Sequence, residues 1–489
     1  MNANLTRNLL IRFFLILFFV PVLLFQHFGE RKNSALLFLS IVPAFLSYGL
    51  ILIGTGSFPA RFRFLRNKNT FLFLNIPFRF WVAVGITFRI FLLFAEPILS
   101  EDVYRFLWDG LLLTEGKSPF SFLPKDFSLS NAAPDTLGLY AELSIKMNSL
   151  RFYSVYPPIL QILFWFSAKS MLFFGSVNAG VFVWKCFLFC SELGVLGILV
   201  SVFKVKKIPL ESSLIYWLNP LVFVEIAGNA HPESVLVFFL VGTIWFFFRW
   251  LRSETSKDFL GFALFFLGGI LTKITPVVLV PFFLFVFWKR KRFLILSASV
   301  FGVLIVCGIV ILLFPDLILK QSASGLGVFF QLFEFNGSVY YVLREFLRAI
   351  GENFYAAGKI CATIALVSIS AYSFWKRKEE TIQNIFSTVE TIYLIFFVFS
   401  TTVHPWYILP LIVCSIFSGN LYPIVWSFSI LVSYSAYSAF PYQDSFGWLC
   451  FEYGTLFLFL IMDFKLSSLR KQKETSADIR VVEKFNSRD

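Results

Sequence analysis

Apolar runs separated by short polar gaps recur along the whole chain. A membrane crossing needs about 20 apolar residues, fewer where a helix is broken or buried in protein. On that measure the pattern predicts spans near 8–26, 35–54, 78–99, 157–175, 179–203, 211–228, 233–250, 258–274, 276–288, 293–314, 355–375, 386–403, 405–418, 421–439 and 447–464. The first run follows Arg7, contains Arg12 and has no small-residue cleavage site after it, so it reads as a retained helix rather than a signal peptide.

Basic residues in the short gaps orient these spans. Six clusters matter: Arg61/Arg63/Arg66/Lys68, Lys204/Lys206/Lys207, Arg249/Arg252/Lys257, Lys289/Arg290/Lys291/Arg292, Lys376/Arg377/Lys378 and the tail from Lys465. Placing them all in the cytoplasm puts nearly every other loop outside. Segments 157–175 and 179–203 then lie between an outer loop and an inner cluster, so only one is a full crossing, and the first is expected to be short, tilted or re-entrant. The prediction is an all-α polytopic membrane protein with roughly 12–15 transmembrane helices and both termini inside. Residues 1–464 form a single multi-spanning domain, with 100–156 and 315–354 as outer loops and 465–489 as a short basic cytoplasmic tail.

Composition agrees. Charged residues make up 15% of the chain and hydrophobic ones 58%, whereas soluble domains carry about 25% charged residues. Neither a set of soluble domains nor a disordered polymer fits. The net charge of +13 does not indicate nucleic acid, because the bases sit in small clusters between apolar runs. Cys186 and Cys190 are one turn apart, but no further Cys or His completes a zinc set. No phosphate loop or dinucleotide fingerprint is present.

The outward pieces carry the chemistry. Residues 100–156 hold seven acids (Glu101, Asp102, Asp109, Glu115, Asp126, Asp135, Glu142) against five bases. Within Ser100-Glu-Asp-Val-Tyr-Arg-Phe-Leu-Trp-Asp-Gly110, a helix would place Asp102, Arg105 and Asp109 on one stripe. Adjacent acids at a membrane edge are costly unless they face water, a partner or a ligand. They can take a proton from an acceptor hydroxyl or help hold a divalent cation, and the bland alternative is a solvated interfacial helix with an Asp–Arg pair. Tyr156-Pro-Pro158 reads first as helix-start punctuation. Glu225, Asn229, His231 and Glu233 crowd nine residues at an outer edge and suggest a polar ligand. Lys273 lies on the side where cations are scarce, which suits an anionic ligand such as a lipid phosphate, or a lysine snorkelling to headgroups. His404-Pro405-Trp406-Tyr407 is an aromatic-belt anchor or a sugar-stacking platform with a phosphate donor beside it. Arg344 and Arg348 form a further candidate anion clamp.

Glu101-Asp-Val-Tyr-Arg with Trp108-Asp-Gly110, Tyr156-Pro-Pro158, Asn219-Pro220 with Gly228-Asn-Ala-His231, Leu271-Thr-Lys273 and Pro405-Trp-Tyr407 occur in this order. The set resembles bacterial multi-spanning glycosyltransferases of the GT-C class, especially polyprenyl-phosphate-mannose-dependent mannosyltransferases, from about residue 95 to 420. The resemblance implies a helical membrane fold with a catalytic first outer loop. It implies transfer of mannose or another hexose from a polyprenyl-phosphate-linked donor to a glycan or lipid acceptor, among membrane lipids, on the outer face of the bacterial cytoplasmic membrane. Carried over, Asp102 is the catalytic carboxylate with Glu101 beside it. Arg105 orients it or meets the phosphate, while Asp109, Tyr156, Asn229, His231, Lys273 and His404 bind donor phosphate or sugar. Ala230-His-Pro-Glu233 departs from the Gly-His-Asn-Asp that relatives often carry. Direct displacement would invert the anomeric centre. No cofactor is required and a divalent cation is optional, because Lys and Arg can neutralise a monophosphate. The rival from another class is a transporter or flippase for a lipid-linked or anionic solute, which would place its site near the bilayer midplane.

Overall fold

The computed structural model describes residues 3–57, 76–127, 132–292, 333–378, 380–439 and 442–486, with isolated positions between 302 and 312. The basic cluster Arg61/Arg63/Arg66/Lys68, most of the predicted span near 293–314 and the first part of the outer stretch 315–354 lie outside these residues.

The described chain is helical: α1 (Ala3–Phe28), α2 (Ser34–Thr55), α3 (Phe78–Leu93), α4 (Asp102–Thr114), α5 (Leu137–Lys146), α6 (Pro158–Phe174) and α7 (Val177–Lys206). Short turns Leu214–Trp217 and Pro220–Val222 then run into a π-helical turn, Phe223–Gly228. There follow α8 (Glu233–Ser253), α9 (Ser256–Ile270), α10 (Val280–Lys289), α11 (Val339–Ala349), α12 (Ala357–Lys376), α13 (Ile382–Val398), α14 (Leu409–Ser418), α15 (Tyr422–Ser429) and α16 (Phe446–Asn486). Among the described residues the single β-type contact is a parallel bridge between Phe335 and Thr402.

Among the described residues, five helices are long and apolar enough to cross a membrane: Leu9–Phe28, Ser34–Thr55, Val177–Lys206, Glu233–Ser253 and Phe354–Lys376. Shorter apolar helices of 10–17 residues stand at Pro158–Phe174, Thr275–Lys289, Ile382–Val398 and Pro405–Ser418. The molecule is thus an all-α polytopic membrane protein. Its helices are more broken than the hydropathy runs imply. The run 211–228 stops at Asn219, whose side chain accepts from Leu221 N at 2.9 Å while Pro220 starts the next turn without an N–H of its own. The run 276–288 opens with a 3₁₀ turn at Thr275–Leu279 carrying Pro276. Of the two segments in parity conflict, the first is the shorter, 17 residues in α6 against 30 in α7, and Gly175 in the left-handed region separates them. The helix that begins at Phe446 continues through Lys465 to Asn486, so the basic tail starts inside it.

Packing converges on α4. It lies against α6 and α7, α7 packs on α8, and α8 on α9. The Phe106 and Phe164 rings stack at 4.7 Å, with Trp184 edge-on to both. Gly110 makes this approach possible, because a Cβ there would overlap the Phe164 carbonyl. Between α3 and α7, the fully buried Arg89 guanidinium donates to Glu192 at 2.9 and 2.6 Å and to the carbonyls of Gly85 and Trp217. It also lies 3.9 Å over the Trp217 ring. Such a pair locks the packing, because removing one member would strand the other charge in apolar surroundings.

The close α4–α6 approach predicts that Gly110→Ala destabilises the protein by about 1–3 kcal/mol through overpacking. Gly138→Ala on α5 meets no neighbour and should hold or raise the melting temperature. Thermal unfolding of both variants in detergent checks this; a wild-type melting temperature for Gly110→Ala would contradict the packing.

Candidate functional site

The backbone leaves regular helix at two neighbouring places, residues 94–101 and the turn 223–232. Buried side chains bond both. Lys185 Nζ donates to the carbonyls of Leu92 (3.0 Å), Ala95 (2.5 Å) and Gly228 (2.9 Å). Gln26 Nε2 donates to Glu96 O at 2.5 Å and reaches Gly228 O at 3.4 Å. Asn229 Oδ1 accepts from Ile98 N (3.0 Å) and Leu99 N (2.8 Å), and its Nδ2 donates to Val224 O at 2.7 Å. Trp184 Nε1 donates to the carbonyl of Ala230, a non-glycine residue at φ 64°. Asn229, expected as a ligand, has both ends of its amide engaged here and fixes the segment that leads into the acid pair.

That segment ends at Glu101 and Asp102, where α4 begins with Asp102 N donating to Ser100 Oγ at 3.2 Å. The Asp102 side chain is 32% exposed and that of Glu101 43%. Arg105 does not turn toward Asp102. Its Nε donates to Asp109 at 2.7 Å, and its Nη1 to the carbonyls of Phe152 (2.6 Å) and Ser149 (3.2 Å). Asp109 is fully buried and also accepts from Ser154 at 2.5 Å and Gln161 at 3.3 Å. Burial pushes its pKa up, and the Arg105 charge pulls it back. The predicted stripe is therefore split. Arg105 and Asp109 pin the 149–154 segment to α4, and Asp102 is left facing the slot. Tyr156 packs edge-on against Phe106 and Phe164 at 4.9 and 5.5 Å.

Opposite Asp102 stands His231. Its Nδ1 lies 3.2 Å from the Glu225 carbonyl and 3.1 Å from Glu225 Oε2, and Glu225 also accepts from Tyr434 Oη at 3.0 Å. Its Nε2 is 4.0 Å from Asp102 Oδ2 and has no hydrogen-bond partner. The ring stacks on Trp406 at 3.5 Å; Trp406 stacks on His404 at 4.4 Å, and His404 on Phe335 at 4.6 Å. Lys273 Nζ lies 2.5 Å from Glu233 Oε1 and 3.7 Å over the Tyr407 ring. His231 Nε2, Glu233 Oε2 and His404 Nδ1 are all buried and unpartnered. Buried polar atoms are rarely left so, and the His231 Nε2 acceptor 4.0 Å from a partly exposed carboxylate invites a polar ligand.

The electrostatics assign roles. Burial pushes the His231 pKa down to about 4, against the opposing charges of Asp102 and Glu233. Burial, then the charges of His231, Lys273 and Arg31, holds His404 well below the usual range. Both rings are neutral at pH 7, so neither supplies a cation to a phosphate. With the His231 Nδ1 proton assigned to Glu225, Nε2 is an acceptor facing a second acceptor, Asp102. The gap suits hydroxyl donors.

Of the nine residues singled out from the sequence, Asp102, His231, Lys273 and His404 meet around this slot, with Glu101 at its rim. Arg105, Asp109, Asn229 and Tyr156 support its walls. Sequence reasoning missed Arg31, whose guanidinium lies 3.5 Å over Tyr437 and 3.6 Å from Glu101, and took Glu225 as part of a polar-ligand cluster, whereas it lies against His231 Nδ1 at 3.1 Å. The expectation that singles out Lys273, a cation on the side where cations should be scarce, applies equally to Arg31 between the first two expected spans.

A depressed histidine pKa gives a signed expectation. The His231 contribution to stability is fully present above pH 6.5 and is lost as pH falls toward 4, at up to about 1.4 kcal/mol per pH unit. The difference in unfolding stability between wild type and His231→Gln should shrink on acidification across this window. Parallel pH curves would contradict a buried neutral ring.

No curated protein and no solved structure matches the chain. Residues 30–289 match the MptA_B family, described as alpha-(1->6)-mannopyranosyltransferase, N-terminal domain. This region carries the acid pair, the Asn229 clamp, His231 and Lys273. The match spans more than half of the chain, which therefore belongs to this mannosyltransferase family.

Proposed function

We propose that the protein moves mannose from a polyprenyl-phosphate-linked donor to a hydroxyl of a glycan or lipid acceptor, with inversion, on the outer face of the bacterial cytoplasmic membrane. The observation that carries this reading is the slot itself: a partly exposed carboxylate, Asp102, 4.0 Å from the unpartnered His231 Nε2 over a floor of stacked rings.

The acceptor hydroxyl gives its proton to the Asp102 carboxylate as its oxygen attacks the anomeric carbon. The bond from that carbon to the phosphate oxygen breaks, and the electron pair leaves with the polyprenyl phosphate. Attack opposite the leaving group inverts the centre. His231 Nε2 accepts from a second hydroxyl and so orients the sugar bearing the nucleophile. The His231, Trp406, His404 and Phe335 rings cover one another's faces, so they form a rigid wall of the slot rather than an open platform for a sugar ring. Lys273 brings positive charge toward the donor phosphate, although Glu233 already offsets much of it at 2.5 Å. Amino acids at a membrane edge survive as unpaired charges only where water or a ligand meets them, which suits a site open to both lipid-borne donor and aqueous acceptor.

Asp102→Asn keeps shape and hydrogen-bonding capacity but cannot take the proton. It should lower transfer by about 10²–10⁴-fold while the protein still inserts and folds. Glu101→Gln should lose less. If both substitutions are equally severe and chelator abolishes activity, the two carboxylates hold a divalent cation instead. Wild-type transfer by a normally inserted Asp102→Asn would remove Asp102 from the mechanism.

A further inference from the structure

The donor reading needs a cation for a phosphodiester that leaves as a phosphate monoester, and both histidines near the slot are neutral. Lys273 is on hand, but its ammonium is already hydrogen-bonded to Glu233 at 2.5 Å and seated on Tyr407. A second cation has escaped notice. Arg31 lies in the short link between α1 and α2, with a side chain only 18% exposed. Its guanidinium lies 3.5 Å over the Tyr437 ring. The nearest carboxylate oxygen, Glu101 Oε2, is 3.6 Å away, beyond hydrogen-bonding reach, and the buried Nε has no partner. The contrast with the other buried arginines is direct: Arg89 and Arg105 each bond a carboxylate, at 2.6 and 2.7 Å. Arg31 is held by Tyr437, and no carboxylate lies within hydrogen-bonding distance of it.

Its position fits the slot. Tyr437 lies 5.6 Å from Phe335, and Phe335, His404, Trp406 and His231 continue the same line of rings. Arg31 stands at one end of that wall, beside Glu101, and His231 stands at the other, beside Asp102. The Arg31 charge also contributes to holding His404 neutral, so its field reaches the middle of the wall. The Tyr437 ring seats the guanidinium at 3.5 Å, and a guanidinium so anchored can offer its fork of N–H donors to two phosphate oxygens at once.

We propose that Arg31, oriented by Tyr437, is the principal cation for the phosphate of the lipid-linked donor, at the end of the slot away from His231. This rests on the lipid-phosphate donor reading above. Glu101, partly exposed, exchanges its loose contact with Arg31 for solvent when the phosphate arrives. Lys273, tied to Glu233 and seated on Tyr407, adds only a secondary, largely offset charge toward the phosphate.

The test is binding of the leaving group, which needs no turnover. Full-length protein in lipid–detergent micelles is titrated with a short isoprenyl monophosphate, the matching isoprenyl alcohol and inorganic phosphate. Arg31→Gln should weaken isoprenyl phosphate by about 10- to 100-fold, with Arg31→Lys intermediate and Lys273→Ala much milder. The alcohol should bind weakly and equally to all of them. Wild-type affinity in Arg31→Gln, or a larger loss in Lys273→Ala, would overturn the assignment. Inorganic phosphate binding as tightly as the isoprenyl ester would overturn the lipid source. If Arg31 only neutralises Glu101, the Arg31→Gln/Glu101→Gln double variant recovers wild-type affinity, and that result also overturns the proposal. Should Arg31→Gln fail to fold, Tyr437→Leu decides: the cation loses its seat, and affinity should fall while Arg31 is retained. Failure of the wild type to transfer sugar would remove the transferase reading and leave this phosphate site standing. Normal transfer with an unaffected Arg31→Gln would remove only the site.

Discussion

Irregular backbone buried in apolar protein has no water to bond, so every N–H and C=O it frees must find a partner inside. The slot depends on that constraint being met at residues 94–101 and 223–232. Lys185 gathers carbonyls from both segments, Gln26 bridges them from α1, and Asn229 binds one with its oxygen and the other with its nitrogen. The two breaks are thereby fastened to each other. Because Asp102 follows one and His231 closes the other, the 4.0 Å separation across the slot is a consequence of this fastening. A continuous helix through either segment would carry one of the two groups away.

The opposite wall is held by a separate device. Phe335 pairs with the 401–403 strand-like segment, accepting from Val403 N at 2.9 Å. Asn336, at φ 52°, has its N–H on Asp444 (2.8 Å), its Nδ2 on Glu452 (3.0 Å) and Val403 O (3.2 Å), and its carbonyl on Tyr453 (2.6 Å). Trp426 Nε1 reaches the same Glu452 oxygen at 2.8 Å. This network carries Phe335 and His404 to where they stack. The family match ends at residue 289, so the acid side of the slot lies within it and most of the aromatic side lies beyond. The working geometry needs both parts of the chain.

Much of this was legible in the sequence. Apolar runs point to a helical membrane protein, and the polar pieces between them contain Asp102, His231, Lys273 and His404, which do converge. What was hidden has physical causes. Hydropathy counts apolar residues and does not register where helical hydrogen bonding stops, so the break at Pro220 merged into the longer run 211–228. Spacing on α4 put Arg105 and Asp109 on the Asp102 stripe. Three-dimensional burial instead paired them with each other and with Ser154 and Gln161, partners 45 and 52 positions from Asp109. Asn229 looked like a ligand because a polar residue in an apolar run serves equally as a ligand or as a backbone clamp. Arg31 went unseen because basic residues were weighed as clusters, and its meaning arises only when residue 437 folds under it.

The central claim is that sugar leaves a lipid phosphate in this slot and is not merely carried across the membrane. The direct test is purified protein in liposomes with mannose-labelled polyprenyl phosphate and a soluble mannose-containing acceptor. The expected result is label appearing in the acceptor with inverted anomeric configuration, release of polyprenyl phosphate in equal amount, and no use of a sugar nucleotide. Label that crosses the bilayer still attached to its lipid, with no acceptor product, would contradict the claim and favour transport.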